Sequence, residues 1–359
     1  MSNVDDEIGQ KIGEVRTDAL DLSFGEIVNL HGSRELIIQP EYQRLFRWSN
    51  SQRSRLIESI LLELPIPQIF VIENSDGVLE LIDGLQRVSS IIQFINAAAI
   101  ELEPLRLEGC DIIETLNGKK FDELPLSLRL RLKRSSVRTV VIKRQSKSFL
   151  RYEMFKRLNT GGSYLSPQEI RNCSARMLGE AGKTFYEFIQ GLSSDPSFST
   201  CIEPLPQADL DQRGNEELVL RFFALKNYES KFAGSVRDWL DTYMEEVLLK
   251  KAEFDAHSQE RAFHEVFDYL CRVIGQGAFV RYRSGSPIGA LAPAYFEAVS
   301  IGVLNKLAKA TARPDQSVKQ AIINTLQSEE FRAITGPGAN SKEKLRRRVQ
   351  AIETAIDAI

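Results

Sequence analysis

Asp83, Gln86 and Arg87 stand within five residues of one another, where the apolar run of residues 78–82 gives way, through Gly84, to the helical spacing of Val88, Ile91, Ile92 and Ile95. A strand ends on a carboxylate, a glycine lets the backbone turn, and a helix opens with an arginine in its first turn. Helix N-termini offer unpaired N–H groups and a positive dipole end, which together suit an anion such as phosphate. Arginine adds a permanently charged planar fork for phosphate oxygens. Asp83 would stand where a carboxylate ligates a metal ion or orients water beside that phosphate. The same five residues also read as an Asp-Gly turn followed by a solvated arginine, and local pattern alone does not separate the two.

The elements that position this turn are legible on both sides. Residues 68–73 and 78–82 flank Asn74-Ser75-Asp76-Gly77, a strong hairpin signal, and the second strand delivers the chain to Asp83. Ser23 can cap a short helix running to His31, and Leu36-Ile37-Ile38 reads as a strand entering Pro40. Ser49 or Ser51 caps a helix with Leu56, Ile57, Ile60 and Leu61 on one face, ended before Pro65. Trp48 reads as a packing residue beside that cap. A basic helix over 122–134 precedes a strand over 137–142, and a further helix over 149–158 stops at Asn159-Thr160-Gly161-Gly162. Ser166-Pro167-Gln168-Glu169 then has the form of a capping box. Beyond about 175 the apolar spacing is helical. The expected fold class is α+β: a mixed α/β domain over 20–175 and an all-helical domain over 176–359, behind a loose N-terminus over 1–19.

Composition narrows the function. A chain of 359 residues with 43% hydrophobic content can bury ample core and exceeds the usual single-domain size. Its acidic start, Asp5-Asp6-Glu7, lacks a signal peptide's basic and apolar regions, and no run of about 18 apolar residues offers a membrane span. A cytoplasmic location follows as an expectation. Cys110, Cys173, Cys201 and Cys271 lie far apart, so neither a zinc site nor a disulfide framework is indicated. Phosphate loops of the Gly-x-x-x-x-Gly-Lys-Ser/Thr kind and the His-Glu-x-x-His pattern are absent, so nucleotide chemistry would fall to residues 83–87 with a divalent ion. Net charge is −3, yet residues 129–157 hold eleven lysines and arginines against Glu153 alone. That excess could track the phosphates of duplex DNA, with Arg131, Lys133 and Arg134 as candidate contacts. It could equally be a set of solvated faces balanced by acids elsewhere. Lys342, Lys344, Arg346, Arg347 and Arg348 read as a solvated helix face.

Three segments carry a resemblance. Residues 39–69, from Gln-Pro-Glu-Tyr-Gln-Arg through Phe46-Arg47-Trp48 to Pro67-Gln68-Ile69, form the first. Asp83-Gly84-Leu85-Gln86-Arg87 is the second. Residues 155–172, with Asn159-Thr160-Gly161-Gly162 and Ser166 to Asn172, are the third, and Glu217 to Phe223 follows. Together they resemble the family called domain of unknown function 262, the ParB/sulfiredoxin-like N-terminal domain of GmrSD-type modification-dependent restriction enzymes.

The resemblance implies a ParB/sulfiredoxin-like fold and a nucleotide-binding module of a bacterial anti-phage or restriction system. It assigns the chemistry to Asp83, also the metal ligand, and to Gln86. Nucleotide contacts fall to Gln43, Arg44, Gly84, Arg87, Asn159 and Arg171. The implied cofactor is Mg²⁺ or another divalent ion with a nucleoside triphosphate. Leu85 stands where the family usually carries glutamine, which leaves hydrolysis more open than binding. His31, His257 and His264 offer no His/Asn cluster for the HNH nuclease usually fused to this domain, so a separate effector protein is the expected partner. A DNA-binding or modification-sensing module built on residues 129–157 is the competing reading, and a ParB-like nuclease the third.

Overall fold

The computed structural model describes residues 16–38, 46–74, 76–143, 154, 157–158, 166–176, 178–336 and 338–359. The chain divides into two compact units, residues 1–164 and 165–359. The first is a five-stranded mixed sheet with helices, and the second is almost wholly helical.

In the first unit the elements run β1 (Thr17–Ser23), α1 (Phe24–Gly32), β2 (Leu36–Ile37), α2 (Asn50–Leu61), β3 (Ile69–Glu73), β4 (Leu79–Asp83), α3 (Leu85–Asn96), α4 (Leu126–Arg134) and β5 (Ser136–Ile142). The sheet order is β1-β5-β3-β4-β2. β3 and β4 form the expected antiparallel hairpin, while β5 lies parallel to β3 and β2 parallel to β4. Helices α1 and α2 each pack on α3 and α4. Local chemistry starts them as anticipated. Ser23 Oγ accepts from the Glu26 N–H, and Ser49 with Gln52 completes a capping box.

One boundary differs. Residues 17–19, assigned to a loose N-terminus, begin β1, which pairs antiparallel with β5 over seven positions. β1 is an edge strand with mostly exposed side chains, so it lacks the buried alternation by which strands are recognised. Its acids do the pairing instead. Asp21 stands directly opposite Arg138 at 3.2 Å, and Asp18 meets Lys143 at 3.2 Å.

The second unit runs α5 (Pro167–Arg176), α6 (Glu180–Ser193), α7 (Pro196–Cys201), α8 (Gln207–Asp211), α9 (Gly214–Tyr228), α10 (Val236–Leu248) and α11 (Ala256–Val273). The hairpin β6 (Arg281–Arg283) and β7 (Ser286–Ile288) follows, then α12 (Pro293–Thr311), α13 (Asp315–Gln327), α14 (Glu329–Thr335) and α15 (Lys342–Asp357). The hairpin was not anticipated; Ser284 and Gly285 turn it with positive φ. Helix α5 falls in the second of the two compact units. Its Ser166–Glu169 capping box forms as read. The core is aromatic. Phe198, Phe222, Phe223, Phe263, Phe267, Phe279 and Phe296 are fully buried, with ring centroids 4.3 Å apart for Phe263 and Phe267 and 4.9 Å for Phe198 and Phe267.

Candidate functional site

β4 reaches Asp83 through a bulge. Leu81 pairs with Val71 but Asp83 pairs with Phe70, which leaves Ile82 as the extra residue. Such a bulge re-aims the side chain that follows it. Gly84 then takes φ 101° and ψ 13° as the N-cap of α3. No other residue suits this position. A Cβ on Gly84 would stand 2.5 Å from Ile69 Cγ2, in addition to the strain of positive φ.

Arg87, one turn into α3, folds back over the turn. Its Nη2 donates to Asp83 Oδ2 at 3.1 Å and to the Gln68 carbonyl at 3.0 Å. The pair is partly open, with 18% of the Arg87 side chain and 31% of that of Asp83 exposed. The Arg87 Nε–H is buried and meets no acceptor. Four features therefore converge at this corner: a helix start free of a Cβ, a guanidinium pinned across it, an open carboxylate, and an unused buried donor. An anion could meet the backbone N–H groups and guanidinium together. The carboxylate could share a hard cation with that anion, because Mg²⁺ is usually held by one or two carboxylates plus substrate phosphates. No group of three or more His, Cys, Asp or Glu able to hold a metal by itself occurs among the described residues.

Gln86 plays a different part from the one its motif position suggests. Its Oε1 accepts from the backbone N–H groups of Arg47 (3.1 Å) and Trp48 (3.0 Å). The side chain thus holds down the strap of residues 46–49 that leads into α2. This is a positioning role.

Arg171 belongs to the helical unit. It lies in α5 with only 2% of its side chain exposed. Its fork donates to Asp241 (2.6 Å), Gln168 (2.9 Å), Glu217 (3.0 Å) and the Arg237 carbonyl (3.3 Å). An arginine so committed within the helical unit has no open face for a nucleotide. Gln43, Arg44 and Asn159 lie outside the described residues, as do Thr160, Gly161 and Gly162.

The basic segment is substantially neutralised where it is described. Arg129 faces Asp122 at 4.0 Å, Arg131 faces Glu63 at 3.9 Å and also donates to the Leu61 carbonyl, and Arg138 and Lys143 pair with the acids of β1. Lys133 sits 5.5 Å from the Phe121 ring, and Arg134 is exposed. The C-terminal basic run splits similarly: Arg346 pairs with Glu229 at the surface, whereas Arg348 is 1% exposed and binds Glu297 inside the helical unit.

Sequence reasoning missed two contributors to the site. Nothing in a sequence marks a backbone carbonyl such as that of Gln68 as an arginine's partner. Arg53 was also passed over, although it shares a helix with the apolar residues that were read; its guanidinium lies 3.9 Å from the centre of the Phe46 ring. Two of the thiols are not reactive candidates. Burial pushes Cys110 up to about 11, and Cys201 further in the same direction. No described helix is long and apolar enough to cross a membrane.

Residues 24–175 match the family model described as the N-terminal domain of GmrSD restriction endonuclease. No curated protein and no solved structure matches the chain.

Proposed function

Because residues 24–175 carry the N-terminal domain of the GmrSD restriction endonucleases, a module of restriction systems, we propose that this chain binds a nucleoside triphosphate at the Asp83–Arg87 turn and acts in the bacterial cytoplasm with a separate effector protein. The observation that carries the reading is Gly84. Its positive φ, and Ile69 standing 2.5 Å from where a Cβ would lie, keep a side chain off the N-cap of α3, with Arg87 folded beside it.

In this reading the triphosphate meets the N–H groups of the first turn of α3 and takes the Arg87 guanidinium, whose Nε–H has no protein acceptor. Asp83, held at 3.1 Å by Arg87, is aimed by a partner that itself binds the anion. A divalent ion shared between Asp83 and the phosphates would supply charge neutralisation on the phosphate oxygens. Hydrolysis is a further step, and it would need Asp83 to orient a water, because Gln86 is committed to the strap.

The test is calorimetric titration with the four ribonucleoside triphosphates in Mg²⁺. Removing a charge-assisted contact to a phosphate costs about 1.5–3 kcal/mol, roughly ten- to a hundredfold in affinity. Arg87→Ala should show that loss while keeping a cooperative unfolding transition. A folded Arg87→Ala protein with native affinity would refute the site.

A further inference from the structure

One turn beyond Gln86, the same face of α3 carries Ser89, and the strap that Gln86 holds brings Phe46 over it. Phe46, Arg53, Ser89, Ile100 and Leu102 line a recess of about 160 Å³. The described lining residues all belong to the first unit.

The chemistry of this recess is selective. The Arg53 guanidinium lies 3.9 Å from the Phe46 ring centre, a face-on cation–π contact. Its Nη1 is tethered to Gln93 Oε1 at 3.1 Å, so the plane is held in place, while its Nε–H is buried without an acceptor. Burial lowers the Arg53 pKa from its usual value, as expected of a cation held against apolar surface. Ile100 and Leu102 complete the described lining, with Leu102 40% exposed. A rigid guanidinium–aromatic stack together with aliphatic side chains makes a recess suited to a flat ring. Its volume, below the about 300–1,000 Å³ of pockets for drug-sized ligands, admits one ring system. Its place is on the Gln86 side of α3, about 7.5 Å along the helix axis from Gly84 at about 1.5 Å per residue, beside the strap that Gln86 holds.

We propose that this recess receives the nucleobase of the nucleotide whose phosphates lie at the Asp83–Arg87 turn. The assignment rests on the nucleotide reading above and adds the part of the ligand that the turn cannot recognise. Arg53 stacks on the base through its fixed plane. Phe46 braces that plane from behind. Gln86 positions the slot by holding the strap on which Phe46 sits.

The experiment titrates native, Phe46→Ala and Arg53→Met proteins with a nucleoside triphosphate, with inorganic tripolyphosphate, and with the corresponding nucleoside, the last by saturation-transfer NMR. Stacking of a base on a side chain is typically worth about five- to a hundredfold in affinity. The native protein should therefore prefer the nucleotide to tripolyphosphate by that margin. Both variants should lose the preference and keep tripolyphosphate affinity, and nucleoside saturation transfer should vanish with them. Equal native affinity for nucleotide and tripolyphosphate would overturn the base slot and leave the phosphate turn standing. Nucleoside binding that depends on Phe46, without any tripolyphosphate binding, would support the slot and remove the phosphate site. Saturation by tyrosinamide as strong as by the nucleoside would also overturn the assignment, by making the slot an aromatic peptide pocket.

Discussion

Replacing Gln86 by leucine should loosen the strap of residues 46–49 before it touches any chemistry. The Gln86 amide oxygen accepts two backbone N–H groups, from Arg47 at 3.1 Å and Trp48 at 3.0 Å. Leucine keeps the bulk and removes the acceptor. Arg47 is exposed, so its N–H returns to water and the loss there is about 0.5 kcal/mol, the low end for a hydrogen bond. The Trp48 N–H is partly buried, and leaving it without an acceptor costs about 1–2 kcal/mol. The total is about 1.5–2.5 kcal/mol, readable as a lower urea midpoint at unchanged slope. Hydrogen exchange should show the Arg47 and Trp48 amides losing protection while those in the middle of α3 keep theirs. Gln86→Glu retains an acceptor oxygen and places a negative charge in the first turn of a helix, where it is stabilising, so that variant should stay near native stability. An unchanged midpoint and unchanged exchange at Arg47 and Trp48 in Gln86→Leu would refute the positioning role. Loss of triphosphate turnover in a Gln86→Glu protein of native stability would return Gln86 to the chemistry.

Gly84→Ala should destabilise the protein by about 1–3 kcal/mol in a urea melt, since the residue sits at φ 101° and its new methyl would press on Ile69. Glu297→Leu should cost about 3–5 kcal/mol, because it takes the buried carboxylate partner from Arg348 and leaves Arg221 with Glu217 alone. Arg346→Ala, which breaks an exposed pair with Glu229, should cost under about 1 kcal/mol in the same assay. Glu217 is held below its ordinary value against its own burial by Arg221 and then Arg171. Its stabilising contribution is therefore present above the unfolded value near 4.5 and lost as pH falls through the folded one. Urea midpoints of native protein should drop on acidification below that value, and Glu217→Gln should show a shallower drop from a lower starting midpoint.

What the sequence by itself determined about this protein is its local grammar. The hairpin around residues 74–77, the turn at Asp83-Gly84, the start of α3, and the capping boxes at Ser49 and Ser166 all depend on partners three or four positions away. Side-chain spacing encodes such partners directly. The resemblance of residues 39–69, 83–87 and 155–172 went further, because whole motifs name a family where periodicity names only an element. The tertiary structure alone decided which of the polar residues were free. Arg171 and Arg348, surface-like by type, are spent on Asp241, Glu217 and Glu297, 46 to 70 positions away. Arg138 is neutralised by Asp21 from 117 positions earlier. Gln86 found its two amides 38 and 39 positions upstream. A charged or amide side chain carries no periodic mark of its partner. Its role is set by which backbone and which opposite charge the packing brings within about 3 Å, and only the folded chain makes that choice.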